Sequence, residues 1–447
     1  RHSGGRSQHE AHNAPVWIAS ASIRDIGALG HGWRGFGGRQ GKGYFSAGLP
    51  LVSLPVASVH SPPPNRYTPM AARTLLSVWP LFFGLLLVGL ASGVQGTLLG
   101  FRAEQEGFAD ALTGLVMSAY FAGFLLGSVW APRLIDRVGH IRTFAAVSAV
   151  ASVTILVHAS FVNPWVWAAM RLVTGLAFST IFVVTESWLN EAATNESRGR
   201  ILAAYMVILL GGTAGGQFLL TLADPGGFAL FVLVSVLVSV AAIPILMTVL
   251  RTPVIETSER VSLGHLWYRA KMGVIGLVLI QWCGSMVYGM GAVYAAKLGL
   301  GAEEVALFMG ALLGGAMLLQ WPLGQLSDLV DRRWVLGGAS ILAGVAAVYA
   351  AAETGAGPRL YAAAFVFGGF CLSQYSLVVA LIHDHLRPAE ITPASGTIVL
   401  LSGIVSVAGP LTVSFVQASF GLESFFLLMA GLLFLMAAIS IWRVLTI

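Results

Sequence analysis

The chain has 447 residues, 56% hydrophobic and only 10% charged, with a formal net charge of +5 and a mean hydropathy of +0.80. Globular domains carry about 25% charged residues, so a water-solvated fold is excluded and a lipid bilayer is the solvent that fits. The basic residues form no stripe, which argues against nucleic acid as a partner. The two cysteines, Cys283 and Cys371, supply neither a disulfide framework nor a metal site and read as small core residues.

Residues 1–69 differ from the rest of the chain. They hold 7 of the 25 Lys and Arg and half of the 10 histidines, but only Glu10 and Asp25 as acids. No run here reaches the roughly 18 apolar residues that a membrane span needs, and no secretory cleavage pattern is present. The first methionine is Met70. We read the stretch as translated upstream sequence with Met70 as the start, or else as a basic targeting tail, disordered in either case.

Twelve apolar segments occupy the remainder. The first six run over 76–99, 111–132, 142–161, 164–187, 200–222 and 228–250, and the second six over 272–296, 303–324, 334–352, 358–383, 394–417 and 422–444. Most come close to the roughly 20 residues that cover a 30 Å hydrocarbon core as a helix. Lipid offers exposed backbone groups no partner, so these segments must be helical. The fold class expected is an all-α integral membrane protein with twelve transmembrane helices in two pseudo-symmetric six-helix bundles. The first bundle spans 70–250, a linker 251–271, and the second bundle 272–447.

The two sets echo one another. Ser92-Gly93-Val94-Gln95-Gly96 aligns with Ser285-Met286-Val287-Tyr288-Gly289, Met117 with Met309, Gly123 with Gly315, and Asp136 with Asp328. Tandem halves of this kind are the plan of many secondary transporters, with a substrate site near the membrane midplane where the halves meet.

An even number of spans puts both termini on one side. Loops on that side carry 14 Lys and Arg against 3 on the other, so the termini are expected to be cytoplasmic. Leu263, Leu266, Trp267 and the basic residues around them in the linker suggest an amphipathic helix on the cytoplasmic membrane surface.

The loop after the second segment reads Pro132-Arg133-Leu134-Ile135-Asp136-Arg137-Val138-Gly139-His140-Ile141-Arg142. The loop after the eighth reads Gly324-Gln325-Leu326-Ser327-Asp328-Leu329-Val330-Asp331-Arg332-Arg333. Both resemble the Gly-x-Leu-x-Asp-Arg-x-Gly-Arg-Arg loop of the major facilitator superfamily, with Pro132 in place of the first Gly and Leu329 in place of an Arg. An Asp there can cap a neighbouring helix, and the arginines can bridge to acids on adjacent helices. Glu186-Ser187-Trp188-Leu189-Asn190 followed by Arg198-Gly199-Arg200, and Tyr288-Gly289-Met290-Gly291 followed by Trp321-Pro322-Leu323-Gly324, resemble the YcaD-like branch of that superfamily. The resemblance covers roughly residues 75–445. It implies a bacterial inner-membrane transporter that works by alternating access, with a cytoplasmic gate at Asp136, Arg137, Arg142, Glu191, Arg198, Asp328, Arg332 and Arg333.

Ionisable groups inside spans cost about 2.5–3.5 kcal/mol on insertion scales, so they are functional candidates. Arg171 and Glu186 stand out. Arg171 binds an anionic group or modulates a proton site, or else it snorkels or bonds a carbonyl. Glu186 is the titrating carboxylate for proton coupling, or else the partner of Arg137 or Arg142. His383-Asp384-His385 closes the tenth segment and reads as a solvated helix end or a proton sensor. The resemblance also implies a cavity lined by the first, fourth, seventh and tenth spans. Its polar candidates are Gln95, Gln281, Tyr288, Gln374 and Tyr375, together with Arg171. Gln217, Gln320 and Gln417 read as links between helices.

No phosphate-binding loop, catalytic triad or metal cluster is present, so no cofactor and no enzyme activity are expected, and an ion gradient is the energy source. The fifth segment carries Gly215-Gly216 where drug/proton antiporters favour Gly-Pro. The expected function is secondary transport of a small molecule, coupled to protons, by a monomer in the lipid bilayer. The rival reading is a membrane sensor that binds without moving its ligand.

Overall fold

The structure is a computed structural model that describes residues 79–192, 198–247 and 261–446. The predicted tail at 1–69 and most of the linker lie outside the described residues. Fourteen α-helices are described: α1 Trp79–Gln105, α2 Asp110–Val138, α3 His140–Ser160, α4 Pro164–Ala192, α5 Arg198–Phe218, α6 Ala229–Leu246, α7 Leu263–Arg269, α8 Lys271–Lys297, α9 Ala302–Leu329, α10 Arg332–Ala351, α11 Pro358–Leu372, α12 Gln374–His383, α13 Pro388–Phe420 and α14 Ser424–Leu445. Twelve stretches are long and apolar enough to cross a membrane, the tenth being α11 and α12 together, broken at Ser373. No strand occurs among the described residues. The end of the bundle that holds Trp79 and Leu445 is the terminal end, and the opposite end is the distal end.

The two halves pack by the same plan. In the first half α2 lies on α4, α1 on α5 and α6, and α3 on α4 and α6. In the second half α9 lies on α11, α8 on α13 and α14, and α10 on α11 and α14. Glycines make the closest crossings, and they repeat. A Cβ at Gly123 would overlap the Leu172 carbonyl, and one at Gly175 the Tyr120 carbonyl. In the second half Gly315 abuts the Phe365 carbonyl and Gly368 the Leu312 carbonyl in the same way. Small residues let helix backbones approach where lipid gives no hydrophobic driving force between helices.

The halves meet along three lines: α1 on α8, α2 on α13, and α5 on α9. Large apolar side chains stay exposed on the outer faces, among them Trp130, Trp165, Trp321 and Phe415, as a lipid-facing surface requires.

Two local expectations change. Asp328 was expected to cap a neighbouring helix, but it pairs with Arg332, and Asp331 caps α10 by accepting from the Arg333 backbone N–H. The Arg333 guanidinium also bonds this carboxyl and holds its pKa below the ordinary range. The reason is spacing: Asp331 immediately precedes the helix, whereas Asp328 lies in the last turn of α9. In the first half the matching turn is a single residue, Gly139, whose φ of 83° suits glycine.

The linker helix α7 has one buried residue, Leu266, and exposes Leu263, Trp267 and Tyr268. It is tied to the base of α13 as well as facing outward. The Val261 N–H donates to the Pro393 carbonyl, Thr397 donates to the Val261 carbonyl, and His265 contacts Glu390 at 3.1 Å.

Candidate functional site

A cavity of about 240 Å³ lies between the halves. Met206 and Leu210 of α5 form one wall. Gln281, Gly284 and Tyr288 of α8, Gln320 of α9, and Tyr375 and Ser376 of α12 form the rest. It runs from Tyr288, near mid-depth, toward the terminal end, where Val379 and Met206 line it. The break at Ser373 that divides α11 from α12 falls on its wall.

The distal end is closed above it. Asp110 at the start of α2 forms an ion pair with Lys297 at the end of α8, joining the halves. The placement suits both helix dipoles, an acid at an N-terminus and a base at a C-terminus. Gly100 of α1 packs against Ala292 and Val293, and Gly114 of α2 sits directly on Ser414 of α13. Gly310 of α9 packs on the Phe218 ring. At the terminal end α4 and α12 make at most marginal contact.

Three of the sequence candidates line the cavity: Gln281, Tyr288 and Tyr375. The Gln281 amide donates to Ser406 at 2.8 Å, while Tyr288 is 40% exposed. Gln374 does not line it. It is fully buried, accepts from Ser340 at 2.7 Å and donates to the Phe370 carbonyl, so it links α10 to α12. Gln320, read as a link, lines the cavity instead. An error in helix phase exchanges the two roles. Gln95 is buried outside the cavity lining, with its amide nitrogen unbonded among the described residues. Gln217 does link helices, bonding the Gly93 carbonyl and Thr97 of α1. Gln417 is buried with neither amide atom bonded among the described residues, so no link is formed there.

Among the described residues Arg171 neither snorkels nor bonds a carbonyl. It is 4% exposed, its guanidinium lies 4.4 Å from the centre of the Tyr120 ring, and one nitrogen lies 3.8 Å from the Met117 sulfur. A cation on an aromatic face keeps part of its stabilisation without water. The repeat counterparts of Arg171 and Tyr120 are Ala364 and Leu312, so this cation–ring pair belongs to the first half alone.

Glu186 is not paired with Arg137 or Arg142; no ion pair or hydrogen bond to it occurs among the described residues. Its direction follows from its neighbours. Ser187 contacts His140 of α3 at 2.9 Å, and Trp188 is buried against the same ring. Successive helical residues point about 100° apart, so Glu186 faces away from α3. It is half-buried, near Tyr205 of α5 and Tyr375 of α12.

The ion pairs of the doubled loop stay within the second half. Arg332 bonds Asp328, Asp384 and the Ser327 hydroxyl, and Arg333 bonds Asp331. Asp136, Arg137 and Arg142 are exposed and form no ion pair among the described residues. The side chains of Glu191 and Arg198 lie outside the described residues. No pair of the expected gate therefore bridges the halves among the described residues, and the bridge that does form, Asp110–Lys297, is at the other end. Nothing in the sequence singles this pair out: Asp110 shares its loop with Arg102, Glu104 and Glu106, and Lys297 is followed by Glu303 and Glu304.

The terminal cluster His383-Asp384-His385 is not simply solvated. His383 is 5% exposed with neither ring nitrogen bonded among the described residues, while Asp384 is exposed and holds Arg332. Cys283 and Cys371 are free and fully buried, as read.

The Major Facilitator Superfamily model matches residues 81–319 and 273–446. The MFS-type transporter YcaD of Escherichia fergusonii is 27% identical over 357 residues, covering 79% of this chain and 92% of that protein. The structure is similar to that of a point mutant of the nucleoside transporter NupG, with a TM-score of 0.69 at 12% identity, over 82% of this chain and 99% of that one. It is also similar to a bacterial homologue of the human lysosomal transporter Spinster, with a TM-score of 0.68 at 12% identity, over 83% and 96%.

Proposed function

This chain belongs to the major facilitator superfamily and is a multi-pass membrane transporter rather than an enzyme, and on that footing we propose that it is a secondary active transporter that carries a small molecule across a bacterial inner membrane by alternating access. Its termini face the cytoplasm. The observation that supports this best is the asymmetry of the seal. A mid-depth cavity reaches toward the terminal end, while an ion pair and glycine contacts close the distal end. A rocking of the two six-helix bodies would break that seal and bring α4 onto α12.

Proton coupling through Glu186 and Arg171 is the finer part of the proposal. Glu186 has no ion pair or hydrogen bond among the described residues and lies within electrostatic reach of Tyr375, which lines the cavity. Arg171 sits one helical turn from the Gly175 crossing, where motion of α2 against α4 would be felt. Proteoliposomes with an imposed pH gradient test both. Glu186→Gln is expected to abolish gradient-driven flux, a loss of about tenfold or more, because no proton can be exchanged at an amide. Flux unchanged in Glu186→Gln and Arg171→Ala removes the two residues from coupling. Ligand binding without any flux in the wild-type vesicles would favour a sensor.

Arg171→Met separates structure from coupling. It keeps packing against Met117 and Tyr120 but removes a buried charge with no carboxylate partner. The variant is expected to melt at or above the wild-type temperature, because a hydrophobic replacement for a buried ion is commonly neutral or stabilising. A melting point several degrees lower would mean that the cation on Tyr120 is itself a structural bond.

A further inference from the structure

We propose that the molecule carried is an organic cation, a small amine or quaternary ammonium with an apolar body, whose charged group seats beside Glu186. The inference rests on the transport reading and assigns its substrate class.

None of the lining residues is charged. The Glu186 carboxylate, half-buried on α4 and turned away from α3, lies within electrostatic reach of Tyr205 and of Tyr375, which lines the cavity. It has no hydrogen bond or ion pair among the described residues. The buried cation of the first half does not offset it at the cavity, because Arg171 is 4% exposed and held on the Tyr120 ring. A carboxyl without a partner in a low-dielectric site is neutralised either by a proton or by a ligand that brings the missing positive charge.

The neutral groups agree. Tyr288 and Tyr375 line the cavity, and aromatic rings attract ammonium groups, quaternary ones included. Gln281 donates through its amide nitrogen to Ser406, which leaves its carbonyl oxygen as an acceptor. Met206, Leu210 and Ile280 offer apolar surface to the rest of the molecule. A bare metal ion fits poorly, because hard cations take six or more oxygen ligands and one carboxylate stands here. An anion would find no charged donor and would meet Glu186.

Three probes of similar body and different charge test this: phenyltrimethylammonium, its neutral isostere tert-butylbenzene, and benzoate. Binding to the full chain in detergent is measured by equilibrium dialysis. Phenyltrimethylammonium is expected to bind the wild type best of the three, to lose about tenfold in affinity in Glu186→Gln, and to keep most of it in Glu186→Asp. Equal affinity in wild type and Glu186→Gln, benzoate bound as tightly as the cation, or no binding of the cation would each overturn the proposal. If Glu186→Gln fails to fold, the wild-type ranking of cation over benzoate still decides. Binding in detergent does not depend on flux, so the two readings fail separately. Cation binding without flux in vesicles removes transport and leaves the ligand class, whereas flux of benzoate alone does the reverse.

Discussion

Oxidising a G114C/S414C pair should stop transport, cutting flux by about tenfold or more, and a reducing agent should restore it. Gly114 lies on α2 and Ser414 on α13, on opposite halves at the distal end. A Cβ built on Gly114 would stand 2.7 Å from the Ser414 Cβ. Disulfides prefer a Cβ separation of about 3.5–4.5 Å, so the helices need only ease apart by about 1 Å to accept one. The bond would fix the half-to-half contact next to Asp110–Lys297, which alternating access must break once per cycle. Cys283 and Cys371 are fully buried, so they compete little for the oxidant, and a variant lacking both serves as the background. Flux is read in proteoliposomes before oxidation, after it, and after dithiothreitol. Full flux from a protein shown by mass to be cross-linked would mean that the distal seal does not open, and the rocking mechanism would fall.

The twelve spans and the duplication were legible because lipid leaves few choices. A long apolar segment must be a helix, and two copies of one order must build two similar bodies. Gly123 and Gly315 could be paired from the sequence, and both are the sites where a neighbouring carbonyl leaves no room for a side chain. What could not be read was helix phase. Spans that are apolar on all sides give no periodicity to show which face looks inward, so Gln374 and Gln320 were assigned to each other's roles. Nor could a sequence show which of several conformations is adopted. The doubled loops at Asp136 and Asp328 lie at the terminal end, but the bridge between halves formed at Asp110 and Lys297, where the sequence shows no motif and several other charges that could have served. Glu186 and Arg171 were found by cost alone, as charges placed where charge is expensive. Their different surroundings, a half-buried site near Tyr205 and Tyr375 for Glu186 and the Tyr120 ring for Arg171, emerge only from packing.

Gly123→Ala should destabilise the protein by about 1–3 kcal/mol, the usual cost of overpacking, whereas Gly314→Ala should not. The added Cβ at position 123 would overlap the Leu172 carbonyl oxygen of α4, and backbone cannot swing aside as a flexible side chain can. At position 314 a Cβ meets nothing within 4 Å. There the better helix propensity of alanine, worth up to about 1 kcal/mol, should leave stability unchanged or raised. Thermal melting in detergent checks both. At about 2–4 °C per kcal/mol for bodies of this size, Gly123→Ala is expected several degrees below the wild type. Gly175, Gly315 and Gly368 stand against carbonyls in the same way, so their alanine variants should fall with it. A wild-type melting point for Gly123→Ala would show that α2 and α4 part freely. The consequence reaches function, because rigid-body rocking needs each six-helix body to move as one piece. In each half two glycines, one on each helix, hold such a crossing, α2 on α4 and α9 on α11. If these crossings are loose, the halves cannot transmit a change at the cavity to the seal at the distal end.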